Sequence, residues 1–360
     1  MISSGKIVKG FLYTLGGGYL ARLCSVLLTV LISRELGPDR FADFLVGVTV
    51  FTVLSSLREF GLMHALLHYQ SKVSEFLGTH LLLNVLLTAG STLVNSALAW
   101  LLLAFFPSHF SLTSALVVWV FSGLNLIRNL TLTSEGLLRM EFEFGRLALF
   151  HGAGTILALL STLLAARAGW QASSLILGGW STFSVLSIVY VLFFSTATLV
   201  TRPLALRQLK FDPVWARRLL SYGIWIWVGW VLQTFMLWYD RLVIWWVLGK
   251  VEMALYNHAM WLVQIPTAVI SHIIFSYTNA LYSRYKDDRD RLGELFGRML
   301  SVIVRVSSPL ALIFVLNAHE LMSLMPKWVY AAPMVVWLAM FAFVRPLLDE
   351  GFGLLWAVGA

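Results

Sequence analysis

The chain has 360 residues, 59% of them hydrophobic and only 12% charged, with a mean hydropathy of +0.81. Soluble domains carry about 25% charged residues, so this composition excludes a soluble enzyme or binding module and points to an integral membrane protein. The formal charge of +8 then reflects basic loops beside anionic lipid, with no nucleic acid expected as a partner.

Strands of a membrane barrel alternate apolar and polar residues, whereas runs such as residues 81–106 are apolar throughout. The expected class is therefore an all-α polytopic membrane protein. A spanning helix needs about 20 apolar residues, and the pattern predicts ten spans, at 10–33, 41–60, 78–106, 112–133, 147–166, 173–201, 220–248, 252–281, 299–318 and 329–358. The first run is too long for the core of a signal peptide and no small-residue cleavage site ends it. Cys24 is the single cysteine, which excludes an intramolecular disulfide or a cysteine metal cluster.

With ten spans and a cytoplasmic N-terminus, 15 lysines and arginines fall in cytoplasmic segments and 5 on the opposite side. The positive-inside rule gives that orientation. Residues 202–218, with Pro203, Pro213 and five basic side chains, read as an amphipathic linker on the cytoplasmic surface. The expected division is a six-helix bundle over 1–201, the linker over 202–218, and a four-span bundle over 219–360. Residues 283–294 mix both charge signs densely and read as a solvated connection.

An internal repeat supports two bundles. Leu31-Ile32-Ser33-Arg34-Glu35-Leu36-Gly37 aligns with Val243-Ile244-Trp245-Trp246-Val247-Leu248-Gly249, an offset of 212 residues. Both copies end a span in Leu-Gly, turn, and re-enter through Phe41-Ala42-Asp43-Phe44 and Met253-Ala254-Leu255-Tyr256. Six spans separate the copies, and an even number makes the repeats parallel, with a central cavity between halves as the expected site.

The phrases Arg34-Glu35-Leu36-Gly37-Pro38, Glu59-Phe60-Gly61-Leu62, Asp240-Arg241-Leu242-Val243-Ile244, Leu255-Tyr256-Asn257-His258-Ala259 and Gln264-Ile265-Pro266 resemble the polysaccharide transporter family. That family is a branch of the superfamily that also holds multidrug exporters and lipid II flippases. The resemblance implies a flippase for polyprenyl-diphosphate-linked oligosaccharides of O-antigen, capsule or exopolysaccharide. Two departures stand out. Ala42 and Ala254 replace the family's usual glycines, and ten spans fall short of the family's twelve or more, so the chain is expected to be a fragment or to lack the last hairpin.

Six arginines lie inside predicted spans, where an unpaired charge costs several kcal/mol. Arg58 adjoins Glu59 near a span end and can pair or snorkel. Arg128 and Arg305 lie about one and a half turns from span ends and can also snorkel. Arg241 follows Asp240, and since adjacent residues do not face one another on a helix, each is expected to bond another span. Arg22 is deepest, with no acid within a turn and Gly16-Gly17-Gly18 beside it. Arg345 precedes Pro346 and has Asp349 four residues on, at pairing distance.

Guanidinium groups match phosphate oxygens bidentately and stay charged. The excess of arginine over Asp43, Asp240, Asp349 and Glu350 therefore suggests a cationic cavity for a diphosphate, lined by Arg22, Arg345, Arg241, Arg128 and Arg305. Structural charge pairing falls to Asp240, Arg58, Glu59 and Asp349. Replacement of Arg22 by alanine is expected to abolish flipping in a folded protein, and wild-type activity would remove Arg22 from the site. Trp230, Trp238 and Gln233 lie deep in the aromatic seventh span and can face lipid or stack on sugar, whereas Trp245 and Trp246 read as an interface belt.

His151, His258 and His272 show no metal-ligand spacing. No Walker loop and no nucleophile–base spacing is visible, and no loop exceeds about 20 residues, so neither a cofactor nor enzymatic activity is expected. The reading is a multi-pass bacterial inner-membrane exporter, N-terminus cytoplasmic, that moves a lipid-linked oligosaccharide by alternating access. Its partners would be membrane lipids and polysaccharide polymerase or assembly proteins. The alternatives are a cation-coupled multidrug antiporter of the same fold and a non-transporting scaffold in a polysaccharide assembly complex.

Overall fold

The computed structural model describes residues 26–27, 30–31, 33–34, 37–56, 60–141, 143–167, 180–203, 210–285 and 288–358. Among these residues there are helices and turns and no strand. In chain order the α-helices are α1 (Pro38–Ser56), α2 (Leu62–His68), α3 (Val73–Phe105), α4 (Leu112–Leu130), α5 (Leu132–Met140) and α6 (Phe144–Arg167). They continue with α7 (Trp180–Thr201), α8 (Pro213–Val247), α9 (Lys250–Arg284), α10 (Arg289–Leu316), α11 (Ala318–Ser323) and α12 (Ala332–Val358). Nine of the ten expected spans coincide with described helices, and the first, 10–33, lies largely outside the described residues.

Among the described residues, five stretches are long and apolar enough to cross a membrane: Gln70–Phe105, Leu112–Met140, Pro213–Val247, Arg289–Leu316 and Pro326–Leu355. Large apolar side chains stand exposed along them, among them Leu93, Leu232, Leu312 and Trp337, as lipid-facing positions require. The helices also run past the expected span edges. α8 has 35 residues, about 52 Å at 1.5 Å per residue, against a hydrocarbon core of about 30 Å. It starts at Pro213 because Asp212 caps it, accepting from the Val214 and Trp215 amides at 2.8 and 3.4 Å, with Pro213 at the first turn. Residues 213–218 are thus its opening turns.

Two compact units emerge from the packing. Unit 1 holds Met1–Thr29 and Asp39–Lys250, and unit 2 holds Val30–Pro38 and Val251–Ala360. The two aligned copies of the repeat are therefore dealt to opposite units: the end of the first copy to unit 2, and α8 to unit 1. In this respect packing departs from a division at the 202–218 linker.

Unit 1 buries α8 against α2 and α3 through Leu62, Ala65, Leu66, Phe76, Leu83, Trp215, Ala216 and Leu219. The approach is close enough to require glycine. A side chain on Gly223 would strike the Phe60 carbonyl, and one on Gly61 would meet the Gly223 backbone at 2.7–2.9 Å. Gly61 also has φ 59°, a left-handed conformation that glycine adopts without strain. Elsewhere in unit 1, Asp43 on α1 accepts from Ser111, the N-cap of α4, at 2.9 Å. It also pairs with Lys250 at 2.9 Å.

The turn between α8 and α9 is tight, as expected, with Gly249 at φ 112°. The counterpart turn, at Glu35-Leu36, lies outside the described residues. Trp245 also differs from the belt expectation. It is 5% exposed, and its indole N–H donates to the His109 carbonyl at 3.0 Å, because the end of α8 packs on the turn after α3. Trp246 is half-exposed and stacks on His109.

Unit 2 packs α10 along α12, with Ile303, Phe314, Val335, Ala339 and Ala342 buried. The segment Val30–Pro38 is pinned to it by polar contacts. Ser33 Oγ meets His258 Nε2 at 2.7 Å, and the Trp328 indole donates to the Ser33 carbonyl at 3.0 Å. Arg34 Nε donates to the Leu324 carbonyl at 2.8 Å. His258 lies stacked on Trp328, ring centroids 3.5 Å apart, which is a packing role for this histidine.

Candidate functional site

The interior of unit 1 contains a seam of polar side chains in otherwise apolar helices. Asn95 reaches Ser55 and Ser122 at 3.5 and 3.4 Å. Asn84 donates to the Asn129 carbonyl, and Asn129 in turn donates to the Asn125 carbonyl at 2.7 Å. His80 is fully buried, and its Nε2 donates to the Leu62 carbonyl at 3.1 Å, leaving Nδ1 to accept from Thr133 at 3.1 Å. A buried polar group without a partner costs about 1–3 kcal/mol, and each of these finds one.

The seam ends in an ionic cage. α4 stops at Thr131 and α5 starts at Leu132, a break that brings Glu135 back beneath Arg128. Glu135 is 3% exposed and pairs with both Arg128 and Arg139, the latter at 2.7 Å. Arg128 also donates to Thr131 at 3.1 Å and sits 4.4 Å from the Phe194 ring centroid. His151 bonds Tyr190 at 2.5 Å beside it. Two guanidiniums thus share one carboxylate, leaving a net positive charge in this corner of unit 1.

Against the seam lies a cavity of about 100 Å³ lined by His64, Asn84, Thr88, Asn129 and Trp230 among others. Asn84 and Asn129 commit their amide N–H groups to the protein, and no hydrogen bond to their side-chain oxygens occurs among the described residues. Amide oxygens, a threonine hydroxyl, an imidazole and an indole face can meet one edge of a hydroxylated ring, while the volume is smaller than the about 300–1,000 Å³ that encloses a whole ligand.

The expected site residues are distributed over both units. Arg22, Arg58 and Glu59 lie outside the described residues. Arg128 belongs to the cage. Arg241 is 5% exposed, donates to the Leu237 carbonyl, and lies 3.3 Å from Asp240 and 4.7 Å from the Trp238 ring centroid. Asp240 and Arg241 also meet each other, because the arginine side chain curls back over the preceding turn. In unit 2, Arg345 Nε lies 2.9 Å from Asp349, and Arg305 is exposed on α10 with no ion pair among the described residues.

Two buried carboxylates were not expected as site features. One is Glu135. The other is Glu350, 1% exposed in unit 2, which accepts from the hydroxyls of Tyr282 and Thr278. Glu135 precedes Arg139 by four residues, a readable spacing. Glu350 bonds residues 68 and 72 positions away, which no local pattern reveals. Among the described residues, no group of three or more histidine, cysteine, aspartate or glutamate side chains is placed to hold a metal.

Residues 31–333 match the family model described as polysaccharide biosynthesis protein. The chain belongs to this polysaccharide biosynthesis family. Among curated proteins, no sequence matches it significantly. Its fold is shared with solved transporters of low sequence identity. An inward-facing multidrug resistance MATE family transporter of the MOP superfamily superposes with TM-score 0.69 at 13% identity, covering 94% of this chain and 81% of that one. The outward-facing form of such a transporter gives 0.60 at 14%, covering 98% and 82%. A MOP superfamily transporter from Pyrococcus furiosus, whose binding pocket is described as having reverse polarity, gives 0.54 at 14%, covering 98% and 82%. This polysaccharide biosynthesis family member is therefore a multi-pass, all-helical membrane protein with a transporter fold.

Proposed function

We propose that the chain exports a polyprenyl-diphosphate-linked oligosaccharide across the bacterial inner membrane by alternating access, with its N-terminus cytoplasmic. The observation that carries this reading is the interior of unit 1: amide and hydroxyl groups beside an indole for sugar, running into a cage with an excess guanidinium for phosphate. Membership of a polysaccharide biosynthesis family and the fold of exporters agree with it. In unit 1, Arg128 meets the diphosphate while Glu135 holds it in place, and Asp240 and Asp349 hold Arg241 and Arg345. Polymerase or assembly proteins receive the product, and no catalysis is required.

Glu350 favours a second reading. A buried acid held by hydroxyls alone is the kind of group a cation-coupled antiporter uses. A deletion strain separates the two. Accumulation of lipid-linked glycan on the cytoplasmic leaflet, relieved by re-expression of this chain, is the expected result. Normal glycan export combined with drug sensitivity would replace the first reading by the second.

A further inference from the structure

A second cavity in unit 1, about 600 Å³ in volume, lies away from the polar seam and is lined by Tyr69, Arg217, Arg218, Ser221, Tyr222 and Trp225 among others. Its volume lies within the range of about 300–1,000 Å³ in which organic ligands bind. Five of these residues share one stretch of α8, where spacings of three and four residues place side chains on a common face.

Arg217 and Arg218 are both exposed, and neither forms an ion pair among the described residues. Arg128, Arg139, Arg241 and Arg345, by contrast, each face a carboxylate. The cavity wall is stiff. Tyr222 stacks on His68 at 4.3 Å, Tyr69 packs edge-on against both Tyr222 and Trp215, and the Arg218 guanidinium lies 5.1 Å from the Trp215 ring. Gly61 and Gly223 lock the same turn of α8 to α2.

Depth in the membrane follows from the sequence. Residues 219–239 carry no charge, and 21 residues of helix span about 32 Å, matching the hydrocarbon thickness of about 30 Å. Arg217 and Arg218 therefore stand at one membrane boundary, with Asp240 and Arg241 at the other. Trp225, 78% exposed, sits on the membrane side of the arginines, where tryptophan anchors in the interface.

The geometry points to a loading site for the headgroup of a lipid-linked saccharide, which rests on the substrate reading given above and adds where that substrate first docks. The two guanidiniums that line this one cavity can each take one phosphate of a diphosphate bidentately. The tyrosine and tryptophan faces, on the membrane side of the arginines, receive the first isoprene units of the polyprenyl chain, and the saccharide extends to the aqueous side. An anionic phospholipid offers the same phosphate chemistry with one phosphate, and so leaves the second guanidinium unused.

The test uses the full chain in nanodiscs of phosphatidylcholine, with a radiolabelled polyprenyl-diphosphate-linked disaccharide as ligand and phosphatidylglycerol as competitor. The wild type should retain the ligand, and the double variant Arg217→Gln/Arg218→Gln should bind at least tenfold more weakly. Arg217→Lys/Arg218→Lys, which keeps charge and helix but loses the planar fork, should fall between them. Equimolar phosphatidylglycerol should not displace the ligand. Equal binding by wild type and the glutamine variant overturns the loading site alone. Displacement by phosphatidylglycerol makes the cavity a phospholipid site. No binding by the wild type overturns the substrate class together with the site.

Discussion

Among the described residues each unit buries one carboxylate, and the two are held by opposite means. Glu135 in unit 1 is caged by Arg128 and Arg139. Glu350 in unit 2 is held by the hydroxyls of Tyr282 and Thr278. Arg345, one turn before Glu350 on α12, pairs with Asp349 instead. A guanidinium cage requires the anion. Hydroxyls can donate to a carboxylate or accept from a carboxyl, so the Glu350 site tolerates either protonation state. The difference separates charge used to hold helices together from charge that remains able to change.

The largest effect is expected from Glu135→Ala, which leaves two guanidiniums without their shared partner. Breaking a buried pair costs about 3–5 kcal/mol, read as a lowered unfolding midpoint in mixed micelles; an unchanged midpoint would show that the cage contributes nothing. Glu135→Gln keeps the shape but removes the charge-assisted bonds, so a loss of about 1.5–3 kcal/mol is expected. The same exchange at Glu350 should cost less than about 1 kcal/mol, because the amide still meets both hydroxyls. Equal losses at the two sites would erase the distinction between them. Tyr282→Phe removes one of the two hydroxyl bonds to Glu350 and should cost about 1 kcal/mol. The smallest effect belongs to Glu294→Gln. Its pair with Arg298 is solvent-exposed on both sides, at 60% and 73%, and such pairs are worth about 0.3–0.5 kcal/mol.

The sequence made the membrane class and nearly all described spans legible, because continuous apolar runs admit few other structures. It also showed Arg345 and Asp349 as a pair, since four residues make one helical turn. The cage was hidden. Arg128 and Glu135 are seven residues apart across the break at Thr131, which a single uninterrupted span does not show. The Glu350 hydroxyl site and the Gly61–Gly223 contact depend on tertiary packing between distant segments and leave no periodic trace. Packing also set the assignment of α8 to unit 1, where a glycine-to-glycine approach outweighs the position of the basic linker in sequence.

The central claim is that this chain moves an anionic, lipid-linked saccharide from one leaflet to the other. The direct measurement reconstitutes the full chain in proteoliposomes loaded with a fluorescent polyprenyl-diphosphate-linked disaccharide and follows dithionite quenching of the outer leaflet over time. The account predicts that ligand protected in the inner leaflet becomes accessible faster than in protein-free vesicles, and that Arg217→Gln/Arg218→Gln slows this exchange at least tenfold. A rate equal to that of protein-free vesicles, with the wild-type chain folded in the membrane, would contradict it.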